Sequence, residues 1–334
     1  MRGILLTVLA TTLLSLASAP LPASAQTDVE IREWDVPWEE SRPRDPYVGP
    51  DGRVWFVGQR ADYAAVLDPE SGEFQRHDLP EGAGPHNLIV GDDGTVWYAG
   101  NRDRHIGRLD PGTGEIQRFE MPDEATRDPH TLVWAADGTI WFTAQGANQV
   151  GHFDPATGET RVVDVPVERS RPYGIVQAPD GDIWVATFGT NELLRVDPAT
   201  MALTRVPLPR EETRPRRLQP TSDGRIWYVD YAAGQLGVYD PASEEIREWA
   251  MPGGEEARPY GMAVDAEDRL WFVETGPRGE PNRFVGFDPG AEAFIASTTI
   301  PSGAGAVRHM MYHAPTNSVW FGTDANTVGV ARLP

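Results

Sequence analysis

The feature that most constrains this chain is a unit that repeats through it. One copy, Gly84 to Glu120, reads GPHNLIVGDDGTVWYAGNRDRHIGRLDPGTGEIQRFE. Each copy has an apolar run, an Asp-Gly-type turn and a Trp-aromatic pair. A Gly-containing run into Asp-Pro follows, then a Thr-Gly-Glu-type turn and a last run that ends near a Pro. The marker tryptophans are Trp55, Trp97, Trp141, Trp184, Trp227, Trp271 and Trp320, at steps of 42, 44, 43, 43, 44 and 49 residues. A period in the low forties with three turn signals means four short strands per unit, which is the repeat of a propeller blade. The predicted fold is therefore all-β: a seven-bladed β-propeller with four-stranded antiparallel blades.

The two ends of the chain complete each other. Glu30 to Pro37, EIREWDVP, matches Glu245 to Pro252, EIREWAMP, which is the last strand of its unit. The seventh unit, around Trp320, ends at Pro334 without a fourth strand. The N-terminal segment is thus expected to pair as the outer strand of the last blade, because an open ring leaves unpaired strand edges.

Ahead of that strand, Arg2, the apolar run Ile4 to Ala17 and Ala23-Ser24-Ala25 read as a secretory signal with a small-residue cleavage site. The expected division is a signal peptide over 1–25 and one propeller domain over 26–334, periplasmic or secreted, with no membrane insertion after cleavage. The formal net charge is −21; losing Arg2 with residues 1–25 makes it 28 − 50 = −22. Such a surface repels nucleic acid and anionic lipid. There is no Cys and no Lys, which excludes disulfides, thiol chemistry and Schiff bases.

Eleven residues before each Trp stand Arg44, His86, His130, Tyr173, Arg216, Tyr260 and His309. All are ionisable, none is aliphatic, and the strand positions after them are mostly apolar. Pro precedes six of them; Arg308 precedes the seventh. This register is the start of the innermost strand, at the end remote from the Asp-Gly turn. The end of the next strand returns to the same place, bringing Gln59, Asn101, Gln145, Asp230, Glu274 and Asp324. Asp128, two before His130, adds another acid. The expectation is one polar mouth on the propeller axis, which is where a ligand site would lie. His77, His105, His152 and His313 fall off this register and read as surface or packing residues. Gly276 to Asn282, GPRGEPN, is an insertion that accounts for the longest step.

GPHNL, DPHTL, RPYGI and RPYGM at the strand starts, with WFTAQGANQVG and WFVET after the tryptophans, resemble the streptogramin B lyase (virginiamycin B lyase) family over about residues 30 to 334. The resemblance implies a lyase that opens a cyclic depsipeptide at its ester by elimination. A His would act as base, and Mg²⁺ held by carboxylates would stabilise the developing charge. The family's His in blade six falls on Tyr260. Its Glu-Pro-His triplet in blade seven falls on Val307, Arg308 and His309, and its final Glu on Asp324. His86, then Asp128-Pro129-His130 and Gln145, form a similar arrangement rotated around the ring.

The expected catalytic set is His309, Asp324 and Tyr260, with Glu274 and Asp324 on Mg²⁺ and Tyr260 donating to an oxyanion. Arg44, His86, His130, Tyr173 and Arg216 are expected to bind substrate. The expected partner is a small-molecule ester or lactone, and the expected state a monomer. Two other readings stand beside the lyase: a periplasmic ligand- or protein-binding propeller without chemistry, and a lactone hydrolase of the gluconolactonase type.

Overall fold

A computed structural model describes residues 27–277 and 279–334. The stretch read as an export signal lies outside them. Seven four-stranded antiparallel sheets follow one another, each built from consecutive strands except the last. There Glu30–Asp35 pairs antiparallel with Thr327–Arg332, from Glu30 opposite Arg332 to Asp35 opposite Thr327. The ring is closed by its own N-terminal strand, as the sequence repeat required. Trp34 on that strand stacks on Trp320, ring centres 5.6 Å apart. Glu33 accepts hydrogen bonds from Ser302 and Thr327.

The marker tryptophans lie between blades, and all seven are at most 6% exposed. Trp55, for example, shares a cluster with Leu88, Val90 and Tyr98 of the next blade. The repeated Gly of the third strand has a packing cause. Gly107 pairs with Tyr98, and a Cβ there would come within 2.0 Å of the Tyr98 ring. Gly151 stands in the same relation to Phe142. Each aromatic ring lies flat across its partner strand, which only Gly permits.

One irregularity positions the mouth. In all seven blades the innermost strand carries one extra residue against its neighbour, just where the ring residues sit. In blade one, Arg44 lies opposite Val57 but Tyr47 opposite Trp55. Such a bulge breaks the strict alternation of side chains and re-aims those beside it. Residues after the ring position can therefore turn inward too. Asp45 takes a left-handed backbone, φ 49°, a conformation that Asp tolerates better than most residues.

Candidate functional site at the propeller axis

The ring residues converge, but as a packed layer. Arg44, His86, His130, Tyr173 and Tyr260 are 3–6% exposed. Arg216 and His309 are half-buried. Arg44 Nη1 lies 2.8 Å from His86 Nε2. A guanidinium only donates, so Nε2 accepts and the proton of His86 sits on Nδ1. That Nδ1 then donates to the His130 carbonyl at 3.1 Å. The two imidazoles lie against each other, tilted by 37°, with centres 3.5 Å apart. Burial, with Arg44 beside both, pushes His86 and His130 well below the ordinary histidine range, so both are neutral.

On the other side of the ring the Tyr173 and Tyr260 hydroxyls are hydrogen-bonded directly to each other. Burial opposes ionisation of both. At Tyr173, Arg44, Arg216 and Arg217 outweigh it and lower its pKa. Tyr260 is raised, by burial and by Tyr173 itself. Arg216 lies across this pair, 3.7 Å from the Tyr260 ring centre and 4.3 Å from those of Phe188 and Tyr231. Phe188 and Tyr231 stand four residues after Trp184 and Trp227, the same register as Gln59, Asn101, Gln145 and Asp324. That offset identifies them, although they are aromatic where Gln59, Asn101, Gln145 and Asp324 are amides or a carboxylate.

The structure divides the second circle of side chains in two. Residues four after the Trp face the mouth: Arg42 donates to Gln59 at 3.3 Å, and Asn101 donates to the Pro129 carbonyl. Asp230 and Glu274 stand three after the Trp, and alternation along a strand turns them to other partners. Asp230 accepts from Arg210 and from the backbone of Arg214 and Ala232. Glu274 accepts from Gly253 N at 2.9 Å and Arg283 Nη2 at 2.5 Å. Asp128 likewise accepts from Gly146 and Ala147 in its own blade.

Blade seven differs from expectation because Arg308 replaces the usual Pro. Arg308 takes the mouth position and grips both oxygens of Asp324, Nη2 to Oδ2 at 2.6 Å. Arg42 Nε adds a contact at 3.5 Å. No hydrogen bond joins His309 to Asp324; His309 instead lines a cavity below the ring. Burial and Arg217 lower its pKa to about 4. The donor set does not fit Mg²⁺. Both oxygens of Asp324 and of Glu274 already accept N–H groups from cations or backbone. Among the described residues, no three His, Asp or Glu side chains are grouped to hold a metal ion.

A layer of polar residues beneath the ring was missed in sequence. Asp45, Asn87, Thr131 and Arg217 each follow a ring residue, and all are at most 4% exposed. Asp45 lies 3.4 Å from Arg44 and 3.8 Å from Arg217, and accepts from Asn87 at 3.1 Å. Burial would raise its pKa, but Arg44, His309 and Arg217 hold it at about 2. Arg217 donates to the Arg308 carbonyl at 2.9 Å and to Thr131 at 3.2 Å. Polar residues directly after the ring position in four of seven units were the available signal.

The family model for the "Virginiamycin B lyase family" matches residues 23–196, more than half of the chain. The chain belongs to that family. The match ends before Tyr260, His309 and Asp324. Virginiamycin B lyase from Staphylococcus aureus superimposes with a TM-score of 0.82 at 22% identity, over 92% of this chain and 100% of that one. A streptogramin B lyase structure gives 0.82 at 24% identity, over 93% and 100%. A catalytically inactive His-to-Ala variant of the S. aureus enzyme, solved with quinupristin, gives 0.82 at 22% identity, over 92% and 100%. At these identities the likeness establishes the seven-bladed fold. No curated protein sequence matches the chain.

Proposed function

We propose that this family member is an exported, periplasmic or secreted, lyase-like enzyme that opens an ester or lactone bond in a small or cyclic, depsipeptide-like substrate by elimination. In this reading guanidinium groups, rather than a divalent metal, meet the developing charge. The observation that carries the reading is the hydroxyl pair of Tyr173 and Tyr260 beneath Arg216, with Arg44 and Arg217 lowering the Tyr173 pKa.

In that reading Tyr173 is the base: the arginines around it make its phenolate form easier to reach, and that form takes the proton from the carbon next to a carbonyl. The electron pair left on carbon forms the new double bond, and the ester carboxylate leaves. Tyr260 donates a hydrogen bond to the phenolate. Arg216 is the first group that a substrate carbonyl meets at the mouth, and its charge opposes the negative charge that builds on the oxygen. His309, at a pKa of about 4 and on the tunnel side, is a weak base and is assigned no proton transfer.

The test is turnover of quinupristin and of a panel of lactones. Elimination gives a product isomeric with the substrate, whereas a lactone hydrolase adds one water. Isomeric product that survives EDTA and is lost in Tyr173→Phe supports the reading. Added water, dependence on metal, or full activity in Tyr173→Phe overturns it. The competing binding reading is favoured by the low exposure of the ring, 3–6% for five of its members. It predicts a ligand-raised Tm with no turnover.

A further inference from the structure

Below the ring, on the side of the Asp-Gly turns, the axis opens into a cavity of about 450 Å³. That volume falls within the range of small-ligand pockets. Its walls are more apolar than polar, with Ile89, Leu132, Leu218 and Met262 among them, and its polar lining includes Arg217, His309, Gln177 and Gln219. This face lies opposite the mouth, so the cavity is separate from the Tyr173–Tyr260 pair.

Three observations converge on an anionic occupant. Arg217 is 4% exposed, and its Nη2 has no hydrogen-bond partner, with Asp45 Oδ2 standing off at 3.8 Å. His309 Nδ1 also lacks one. Buried polar atoms are almost always paired, so the Arg217 donor beside the cavity calls for an acceptor, and the unpartnered His309 ring can donate to the same group from the nitrogen that carries its proton. The charge count agrees. In the layer between ring and cavity, Arg44 and Arg217 share one carboxylate, Asp45, while Arg42, Arg216 and Arg308 lie on the mouth side. A positive excess therefore remains beside the cavity, inside a chain whose net charge is −21.

We propose that the turn-side cavity binds a small apolar carboxylate, its head accepting from Arg217 and His309 and its body against the aliphatic wall. A monocarboxylate with an aromatic or branched body has the right chemistry. A phosphate or sugar acid has no apolar body to set against the aliphatic part of the wall.

The experiment is calorimetric titration of the protein with phenylacetate, phenylacetamide and acetate. Phenylacetate is expected to bind at least about tenfold more tightly than either, because a charge-assisted hydrogen bond and the apolar body are both needed. Val264→Trp, on the cavity wall away from the ring, is expected to abolish phenylacetate binding. Arg217→Gln is expected to erase the preference for acid over amide. If Arg217→Gln does not fold, the amide comparison and Val264→Trp decide. Equal affinity for acid and amide, no binding of phenylacetate, or unchanged affinity in Val264→Trp overturns the proposal.

Discussion

Arg308 and Asp324 face each other across the last inner hairpin, both guanidinium Nη atoms on both carboxylate oxygens. The relation follows from one substitution in the repeat. Six units place Pro before the ring residue, and a Pro has no side chain to send to the mouth. Arg308 has one, and it neutralises the carboxylate that the family resemblance assigned to a metal. The Arg308 backbone is committed as well, since its carbonyl accepts from Arg217.

The first prediction concerns metal. Millimolar Mg²⁺ or Mn²⁺ should leave the Tm unchanged, and EDTA should too. A hard cation would have to displace an arginine from oxygens already engaged by it. A Tm that rises with Mn²⁺ and falls back with EDTA would show that Asp324 exchanges its partners for metal.

A second prediction is acid lability. His309 moves from 6.5 to about 4 on folding, and His86 and His130 are also lowered by burial. The unfolded chain takes up protons at these sites below about pH 6.5, whereas the folded chain resists them. Stability is therefore complete above pH 6.5 and is lost progressively as the pH falls towards 4. For His309 alone the loss is on the order of 3 kcal/mol at pH 4. Asp45, held at about 2 against 3.8, keeps its contribution until the pH falls below 3.8. Calorimetry at pH 7.5, 5.5 and 4.5 should give a falling Tm, and His309→Gln should flatten the slope. A Tm constant from pH 7.5 to 4.5 would contradict this.

The third prediction is that removing residues 28–37 destroys cooperative melting. Those residues hold the outer strand of blade seven, and without them Thr327–Arg332 becomes an exposed edge prone to aggregation. Trp34→Ala is the milder test. Losing its stack on Trp320 should cost about 2 kcal/mol. A truncated protein with an unchanged melting curve would mean that the ring does not depend on its closing strand.

The fold was legible because it is periodic. Trp97, the Gly-containing third run and the Glu30 strand all repeat elsewhere, so several copies within one chain point to the same role. The site was legible only as a register. Arg44, His86, His130, Tyr173, Arg216 and Tyr260 do meet at the axis, and the sequence placed them there. What they do to one another depends on side chains distant in sequence: Arg44 reaches His86 of the next blade, and Arg216 finds Phe188 and Tyr231. Arg217 and Asp45 were hidden by the bulge, which makes consecutive positions face inward where a regular strand would alternate. Arg308 was read as a lost Pro, although an Arg beside an acid-bearing hairpin is also a gained cation.

The last prediction separates the two tyrosines. Tyr173 has the lowered pKa, and Tyr260 supports it by donating a hydrogen bond to its ionised form. Tyr173→Phe removes the base and should reduce turnover by about a hundredfold or more. Tyr260→Phe removes only the donor. The Tyr173 pKa should then rise, and the pH–rate profile should keep its shape while its midpoint moves to higher pH. The sign follows from the form active in the proposed mechanism: if turnover uses the phenolate, the rate climbs with pH, and a less stabilised phenolate requires more alkaline solution. Arg216→Leu should move the midpoint the same way and raise KM as well, because Arg216 serves both the phenolate and the substrate carbonyl. A profile that is unchanged in Tyr260→Phe would mean that the hydroxyl contact is structural, and that the proton is taken elsewhere.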